Sequence, residues 1–521
     1  MTKRIITSVI LALSLAALPL RGQDNQAPNI LFIAVDDLKP MLGCYGEAQI
    51  HSPHIDALAA RGTAFLKNYC QQAICGPSRA SLMTGLYPDH TGVWDLKTRM
   101  RDVHPDILTL PQYFRQNGYT TVAHGKVYDP RCVGADYDSL SWSVPYVANH
   151  DLPLPEGIEA PMFAHYQHPD TRTEGALLIA EAERKGKEGY ARIRYGLQSL
   201  KPVTECADVP DNAYYDGIMV EQAMESVDKL ASSGKPFFLA VGFKKPHLPF
   251  VAPKKYWDLY DRDAIEIAAF QEQSEHGPKV AYHKSGEIRS YTGFTFQDGR
   301  IPEEQQKKII HGYYAAISYV DALVGKLLKK LEDRGLDGNT VVILWGDHGW
   351  HLGDHALWCK HSNFEQATRA PMIISAPGMP GEVQINTPTD FIDIFPTLCD
   401  LAGLAIPEGL DGVSLEGLIS QQQDQVKPFV VSQYPRGKKI MGYSLRTERY
   451  RYTEWHTNGY KSYDPYREEN IIGRELYDYA QDPLETVNYF DDPSYETVAD
   501  RLSAALQTYL KEQKSYENRK P

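Results

Sequence analysis

The chain has 521 residues, 42% of them hydrophobic and 23% charged, with a formal net charge of −13 at pH 7. That length supports one large folded domain and a smaller one, and the mean hydropathy of −0.42 is that of a globular protein. The acidic balance excludes non-specific binding to nucleic acid or to anionic membranes, because a negative surface repels both.

In chain order, Lys3 and Arg4 precede an apolar run from Ile5 to Leu18, followed by Pro19 and Arg21-Gly22-Gln23. This reads as a secretory signal peptide over residues 1–22, since the run is too short to span a bilayer comfortably. A periplasmic or secreted location is expected, with no lipid anchor and no membrane insertion. Cleavage removes Lys3, Arg4 and Arg21 and no acid, moving the charge from −13 to −16. An anionic ligand must then be held by local cations against the field of the whole protein.

Asn29–Val35 is a continuous apolar run, the mark of a strand buried on both faces, and it stops at Asp36-Asp37. A helix is predicted over Ser52–Arg61. Next comes Cys75-Gly76-Pro77-Ser78-Arg79, running on to Leu82-Met83-Thr84-Gly85. Pro77 suits the first turn of a helix and Gly85 its left-handed stop, which puts Cys75 at a helix N-terminus. The helix dipole and the cation of Arg79 there predict an acidic, reactive thiol. A buried structural cysteine is the alternative.

Thr120–Ala123 is a further strand, ending at His124-Gly125-Lys126. A helix over Ala213–Ser232 leads to the run Phe237–Phe243, which ends in Lys244-Lys245-Pro246-His247. A helix over Pro302–Arg334 precedes Val341–Gly346, which stops at Asp347-His348-Gly349. The alternation predicts an α/β domain with a mostly parallel sheet and helices on both faces. Ligands in such folds sit beyond the carboxyl ends of strands, and four strands deliver polar residues to that edge.

After Asp411-Gly412 the pattern changes to short antiparallel strands at Phe429–Ser432, Met441–Arg446 and Arg449–Thr453, then a helix over Tyr495–Lys514. The expected division is a catalytic α/β domain over 23–420, a linker at Gln421–Gln425, and a small α+β subdomain over 426–521. Arg446, Arg449 and Arg451 are placed at the rim of the site. Seven cysteines are present, and setting Cys75 aside leaves six that export would allow to pair.

Asp36, Asp37 and Asp347 offer carboxylate oxygens from two distant segments. Without a thiolate cluster beside them, Ca²⁺ or Mg²⁺ fits better than zinc. His351 and His355 have helical spacing but no glutamate beside them as zinc proteases require, so they are expected to be packing or substrate-rim residues.

The string Cys75-x-Pro-Ser-Arg79 with Leu82-Met83-Thr84-Gly85 resembles the signature of type I sulfatases, whose cysteine is converted to formylglycine. Asp347-His348-Gly349-Trp350, Trp358-Cys359-Lys360, Ser362-Asn363-Phe364 and Lys245-Pro246-His247 resemble the iduronate-2-sulfatase-like branch of that family. So do Gln71-Gln72-Ala73-Ile74 and Val35-Asp36-Asp37. The match covers most of residues 28–400 and recurs at Glu475-Leu476-Tyr477-Asp478. It implies an alkaline-phosphatase-like large domain plus a small C-terminal α+β subdomain with an antiparallel sheet.

The resemblance further implies one Ca²⁺ on Asp36, Asp37, Asp347, His348 and the formylglycine made from Cys75. The hydrated aldehyde would attack sulfur through one hydroxyl, and the other would then expel sulfate. Arg79, Lys126 and Lys360 would clamp the sulfate, and His247 with Lys360 would protonate the departing sugar oxygen. The implied partners are a sulfated oligosaccharide and a formylglycine-generating or anaerobic sulfatase-maturing enzyme. The implied substrate carries a 2-O-sulfated uronic acid; another sulfated polysaccharide, including an algal one, is the alternative.

One position departs from the family. Gly125-Lys126-Val127-Tyr128-Asp129 has Asp129 where a histidine base is usual. An ionised Asp129 about 4 Å from a sulfate would be repelled by roughly 4 kcal/mol at an effective dielectric near 20. It is therefore expected to pair with Lys126 or to act as the base, with His124 as an alternative base. Rival readings are a phosphonate or phosphodiester hydrolase and a non-catalytic glycan-binding relative, both opposed by the Cys75–Arg79 string.

Overall fold

The computed structural model describes residues 27–153, 165–462 and 465–514, so the predicted signal peptide lies outside the described residues. The first apolar run forms strand β1 (Asn29–Asp36), buried along its whole length. Ile30, Phe32 and Ala34 enter one apolar cluster, and Leu31, Ile33 and Val35 the other. A strand sends alternate side chains to opposite faces, so a run without polar interruption requires cover on both.

In chain order the main sheet then takes β2 (Thr63–Phe65), β3 (Thr120–Gly125), β4 (Phe237–Pro246), β5 (Thr340–Gly346), β6 (Met372–Ser375) and β7 (Val383–Ile385). Their spatial order is β7-β2-β6-β5-β1-β4-β3. The four neighbours β5, β1, β4 and β3 are mutually parallel, and β7 is parallel to β2. Only β6 runs against its neighbours β5 and β2. The four long parallel strands therefore end on one edge, as the α/β reading expects.

Helices cover both faces. Residues of α1 (Pro53–Ala60), α3 (Tyr215–Ala231) and α4 (Glu303–Asp333) join the cluster beneath Leu31 and Ile33. Ala80, Leu82 and Met83 of α2 (Cys75–Thr84) join the opposite one. Burying each large apolar side chain in these layers contributes about 1.5–3 kcal/mol.

The C-terminal part is a four-stranded antiparallel sheet in the order β8 (Val430–Arg436), β9 (Ile440–Arg446), β10 (Tyr450–His456), β11 (Ile471–Asp478). Leu502, Leu506 and Leu510 of α5 (Glu496–Lys514) pack with Tyr443, Leu445, Tyr452 and Leu476 of that sheet.

Two expectations are corrected here. Arg446, Arg449 and Arg451 do not reach the catalytic rim. Arg446 Nε and Arg451 Nη2 bind Glu365 Oε2 at 3.1 and 2.5 Å, Arg451 Nε binds Glu485 at 2.9 Å, and Arg449 binds Asp478 at 2.7 Å. Arg446 and Arg451 tie the antiparallel sheet to Glu365 in the chain following Lys360, since a buried guanidinium must be neutralised where it stands, while the half-exposed Arg449 pairs within the sheet itself. Nor do the cysteines pair: all seven are free. Cys70, Cys359 and Cys399 serve as small apolar core residues.

Candidate active site

The carboxyl ends of the four parallel strands carry the predicted residues to one place. Asp36 ends β1, Lys126 follows β3, His247 follows β4, and Asp347 and His348 follow β5. Helix α2 begins at Cys75 after an extended Ile74 and stops at Gly85 with φ 67°. Side-chain-free positions allow the approach. A Cβ on Gly76 would strike Cys132 Sγ, and one on Gly242 would strike the Lys126 carbonyl. Gly242→Ala is expected to displace Lys126 and reduce turnover by about 100-fold with the fold intact, read by steady-state kinetics and circular dichroism.

Arg79 is fully buried and satisfied on every side. Nε donates to Asp347 Oδ2 at 2.9 Å, Nη2 to Asp36 Oδ1 at 3.2 Å, and Nη1 to the carbonyls of Lys126 and Val127. Lys126 Nζ donates to Asp36 Oδ2 at 2.5 Å. Lys360 Nζ donates to both Asp37 oxygens at 3.0 Å. Burial pushes the Asp36 carboxyl up, yet Lys126, then His247 and Arg79, hold it well below the usual carboxylate range. Asp37 goes the other way. Burial and the charges of Asp36, Glu287 and Asp347 raise it against the pull of Lys360. Its backbone is also left-handed, with φ 60°, and its N–H donates to Asp347 Oδ1 at 2.9 Å.

The donor set fits a hard divalent cation. Ligand atoms of Asp36, Cys75 and Asp347 lie within 4.8 Å of one another, as do those of Asp37, Cys75 and His348. His348 Nδ1 sits 2.9 Å from the Gly349 carbonyl, which only accepts, so Nδ1 carries the proton. Burial lowers the imidazole to about 4, leaving it neutral with its Nε2 lone pair bare. That lone pair faces Asp37 Oδ1 at 3.3 Å and Asp347 Oδ1 at 3.6 Å. An acceptor nitrogen among carboxylate oxygens is stabilised by a shared cation.

Cys75 is 2% exposed, with Sγ 3.5 Å from His348 Nε2. The expectation of an acidic thiol is reversed. Burial pushes the Cys75 thiol well above its ordinary value, with Asp36 and Asp347 adding to the rise against the pull of Lys126 and Lys360. His247 Nδ1 contacts the Leu248 carbonyl at 2.7 Å, which fixes the ring and turns Nε2 toward Glu287 Oε1 at 3.4 Å and Asp37 Oδ2 at 3.7 Å. Burial, then Lys360, holds this imidazole well below its ordinary value.

Asp129 does not pair with Lys126. Its oxygens accept from Arg131 Nε at 2.9 Å and Nη2 at 2.7 Å. Despite burial, that bidentate bond and the charge of Lys126 lower its carboxyl to about 2. His124 is bonded to Ser226 Oγ at 2.9 Å and does not line the cavity that holds Cys75. His351 and His355 are buried packing groups, His355 stacking on Phe364 with ring centroids 4.2 Å apart. Neither lies in an α-helix; a two-residue strand holds His351, and His355 sits at a left-handed kink in the short 3-10 turn Asp354–Ala356.

Cys75, Lys126, Asp129, His247 and Lys360 line a single cavity of about 740 Å³. The sulfatase family model matches residues 28–404, and a model of the C-terminal part of N-sulphoglucosamine sulphohydrolase matches residues 353–513. The chain belongs to the sulfatase family. It is a sulfuric ester hydrolase with an alkaline-phosphatase-like fold. Iduronate 2-sulfatase of Mus musculus is 32% identical to it over 94% of this chain and 96% of that one. In three dimensions it resembles the phosphonate monoester hydrolase of Agrobacterium radiobacter, with TM-score 0.70 at 22% identity over 94% and 96% of the two chains. A 2-O GAG sulfatase aligns with TM-score 0.63 at 22% identity over 95% and 94%. At these identities the two structures bear on the fold alone.

One residue of this sulfatase site has no sequence signal. Glu287 lies in the segment preceding α4, and its carboxylate contacts Lys360 Nζ at 3.1 Å, His247 Nε2 at 3.4 Å and His361 Nε2 at 3.1 Å. A lone acid in an irregular segment has no periodicity to mark it.

Proposed function

We propose that this sulfatase removes the 2-O-sulfate of a uronic acid in a sulfated glycan. The observation that carries the chemistry is the position of Cys75, at a helix N-terminus beside Asp36, Asp37, Asp347 and His348 and within reach of Lys126 and Lys360. The similarity to iduronate 2-sulfatase over nearly the whole of both chains supports the substrate class.

Formylglycine in place of Cys75 would supply the oxygen nucleophile that a buried thiol with a raised pKa does not. Calcium held by Asp36, Asp37, Asp347 and His348 would supply Lewis-acid polarisation of a sulfate oxygen and favour the ionised nucleophile. The chain's own side chains do the rest. Arg79 bridges Asp36 and Asp347, which fixes both carboxylates in place. Lys126 and Lys360 present ammonium groups to the cavity, where they would stabilise charge that develops on sulfate oxygens. His247 Nε2, on a ring that burial keeps neutral, lies beside the Lys360 ammonium, and the pair would pass a proton to the leaving oxygen. Glu287 accepts from Lys360 Nζ at 3.1 Å and so holds that ammonium beside His247.

The reading brings with it export by the N-terminal segment and a formylglycine-generating or anaerobic sulfatase-maturing enzyme as partner. Released sulfate from a panel of sulfated disaccharides tests it. The expected result is preference for a terminal 2-O-sulfated uronic acid, with activity lost on chelation and restored by Ca²⁺. Equal or better release from 6-O-sulfated glucosamine would refute the substrate assignment.

A further inference from the structure

Two cations facing the catalytic cavity take no part in the chemistry described. Lys244, near the end of β4, and Arg131, just after Asp129, both line the cavity that holds Cys75, Lys126 and Lys360. Among the described residues Lys244 forms no ion pair. Among the described residues its Nζ bonds to the neutral ring of His165 alone, at 3.1 Å from Nε2. Burial, then the charges of Lys126 and Arg131, against the pull of Asp36 and Asp216, bring its ammonium down to about 8. A positive group so placed gains from any anion that enters.

Arg131 is prepared for the same purpose. Its Nε and Nη2 are fixed by Asp129, whose side chain is fully buried, while its own side chain remains 52% exposed. Nη1 makes no hydrogen bond among the described residues, so the outer edge of the guanidinium is open to a carboxylate or sulfate. The two acids that line the cavity leave this charge in place. Asp129 is matched by Arg131, and Glu287 by Lys360 and His361. The presence of an aspartate in an anion-binding site then has a physical reason. Asp129 carries a cation into position, and its charge is compensated at the point where it would repel the substrate.

We propose that Lys244 and Arg131 form a second anion subsite, which binds a further carboxylate or sulfate carried by the substrate, and that Asp129 is the positioning residue for Arg131. This rests on the sulfate-ester reading of the same cavity. A single charge-assisted hydrogen bond at such a place changes affinity by about tenfold or more.

The test compares three sulfate esters: a 2-O-sulfated uronic acid disaccharide, its carboxyl-reduced counterpart, and a disulfated form of the reduced sugar. Wild type is set against Lys244→Met, Arg131→Gln and Asp129→Asn. Each variant is expected to raise KM for a doubly anionic substrate about tenfold more than KM for the reduced monosulfate, while kcat changes less. Loss confined to the uronic acid assigns the subsite to a carboxylate; loss confined to the disulfated sugar assigns it to sulfate. Equal effects on all three substrates would overturn the subsite, and a fall in kcat without a change in KM for Asp129→Asn would overturn its positioning role. Wild type that released sulfate from none of the esters would instead refute the proposed substrate of the cavity on which the subsite rests. Circular dichroism of each variant, with the exposed Arg131→Lys as a milder change, separates loss of the subsite from loss of the fold.

Discussion

Cys75→Ala should abolish sulfate release, by at least about 10⁴-fold, in a protein that remains folded. The side chain is small and sits in a pocket of polar partners, so its removal costs about 1 kcal/mol or less in stability. Every other group in the cavity would persist. Lys126, Lys360 and His247 can orient a sulfate and receive its charge, but none of them supplies the attacking oxygen. Thermal unfolding and sulfate release, measured on one preparation, check both halves. Substantial activity in the alanine variant would remove residue 75 from the chemistry.

Arg79→Ala should have the largest combined effect on stability and rate. The guanidinium is buried with Asp347, Asp36 and two backbone carbonyls, and its removal leaves two carboxylates in the interior without their counter-charge. Breaking such a network by removing one partner costs about 3–5 kcal/mol. Activity should fall by about 10²–10³-fold as well, because Asp36 and the Lys126 backbone both lose their fixed position. Arg79→Lys restores the charge but cannot reach four acceptors, so it should recover part of the stability and little of the rate. Denaturant titration with kinetics checks this; a neutral effect of Arg79→Ala on stability would contradict the described network.

Much of this architecture is legible in the sequence because its signals are local. β1, β4 and β5 announce themselves as unbroken apolar runs, since each is buried on two faces. α2 is bounded by Pro77 and Gly85, which act through their own backbone preferences. The residues at the strand ends follow directly: once the strands are parallel neighbours, Asp36, Lys126, His247 and Asp347 must share an edge. The rest depends on partners distant in sequence. Arg446 and Arg451 look like free surface cations until Glu365 and Glu485 are folded against them. Glu287 acquires meaning only where Lys360, His247 and His361 meet. A helix N-terminus predicts an acidic Cys75, whereas its full burial, visible only in the folded chain, raises the thiol instead. Asp129 was matched to the lysine three residues before it, whereas the bidentate geometry of an arginine two residues after it prevails.

The most direct measurement is the mass of the peptide containing residue 75, taken from protein made in a host that matures sulfatases and shown to release sulfate. An aldehyde in place of the thiol, trapped by a hydrazine with loss of activity, is the result that follows from the account. An unmodified cysteine in fully active protein would contradict it.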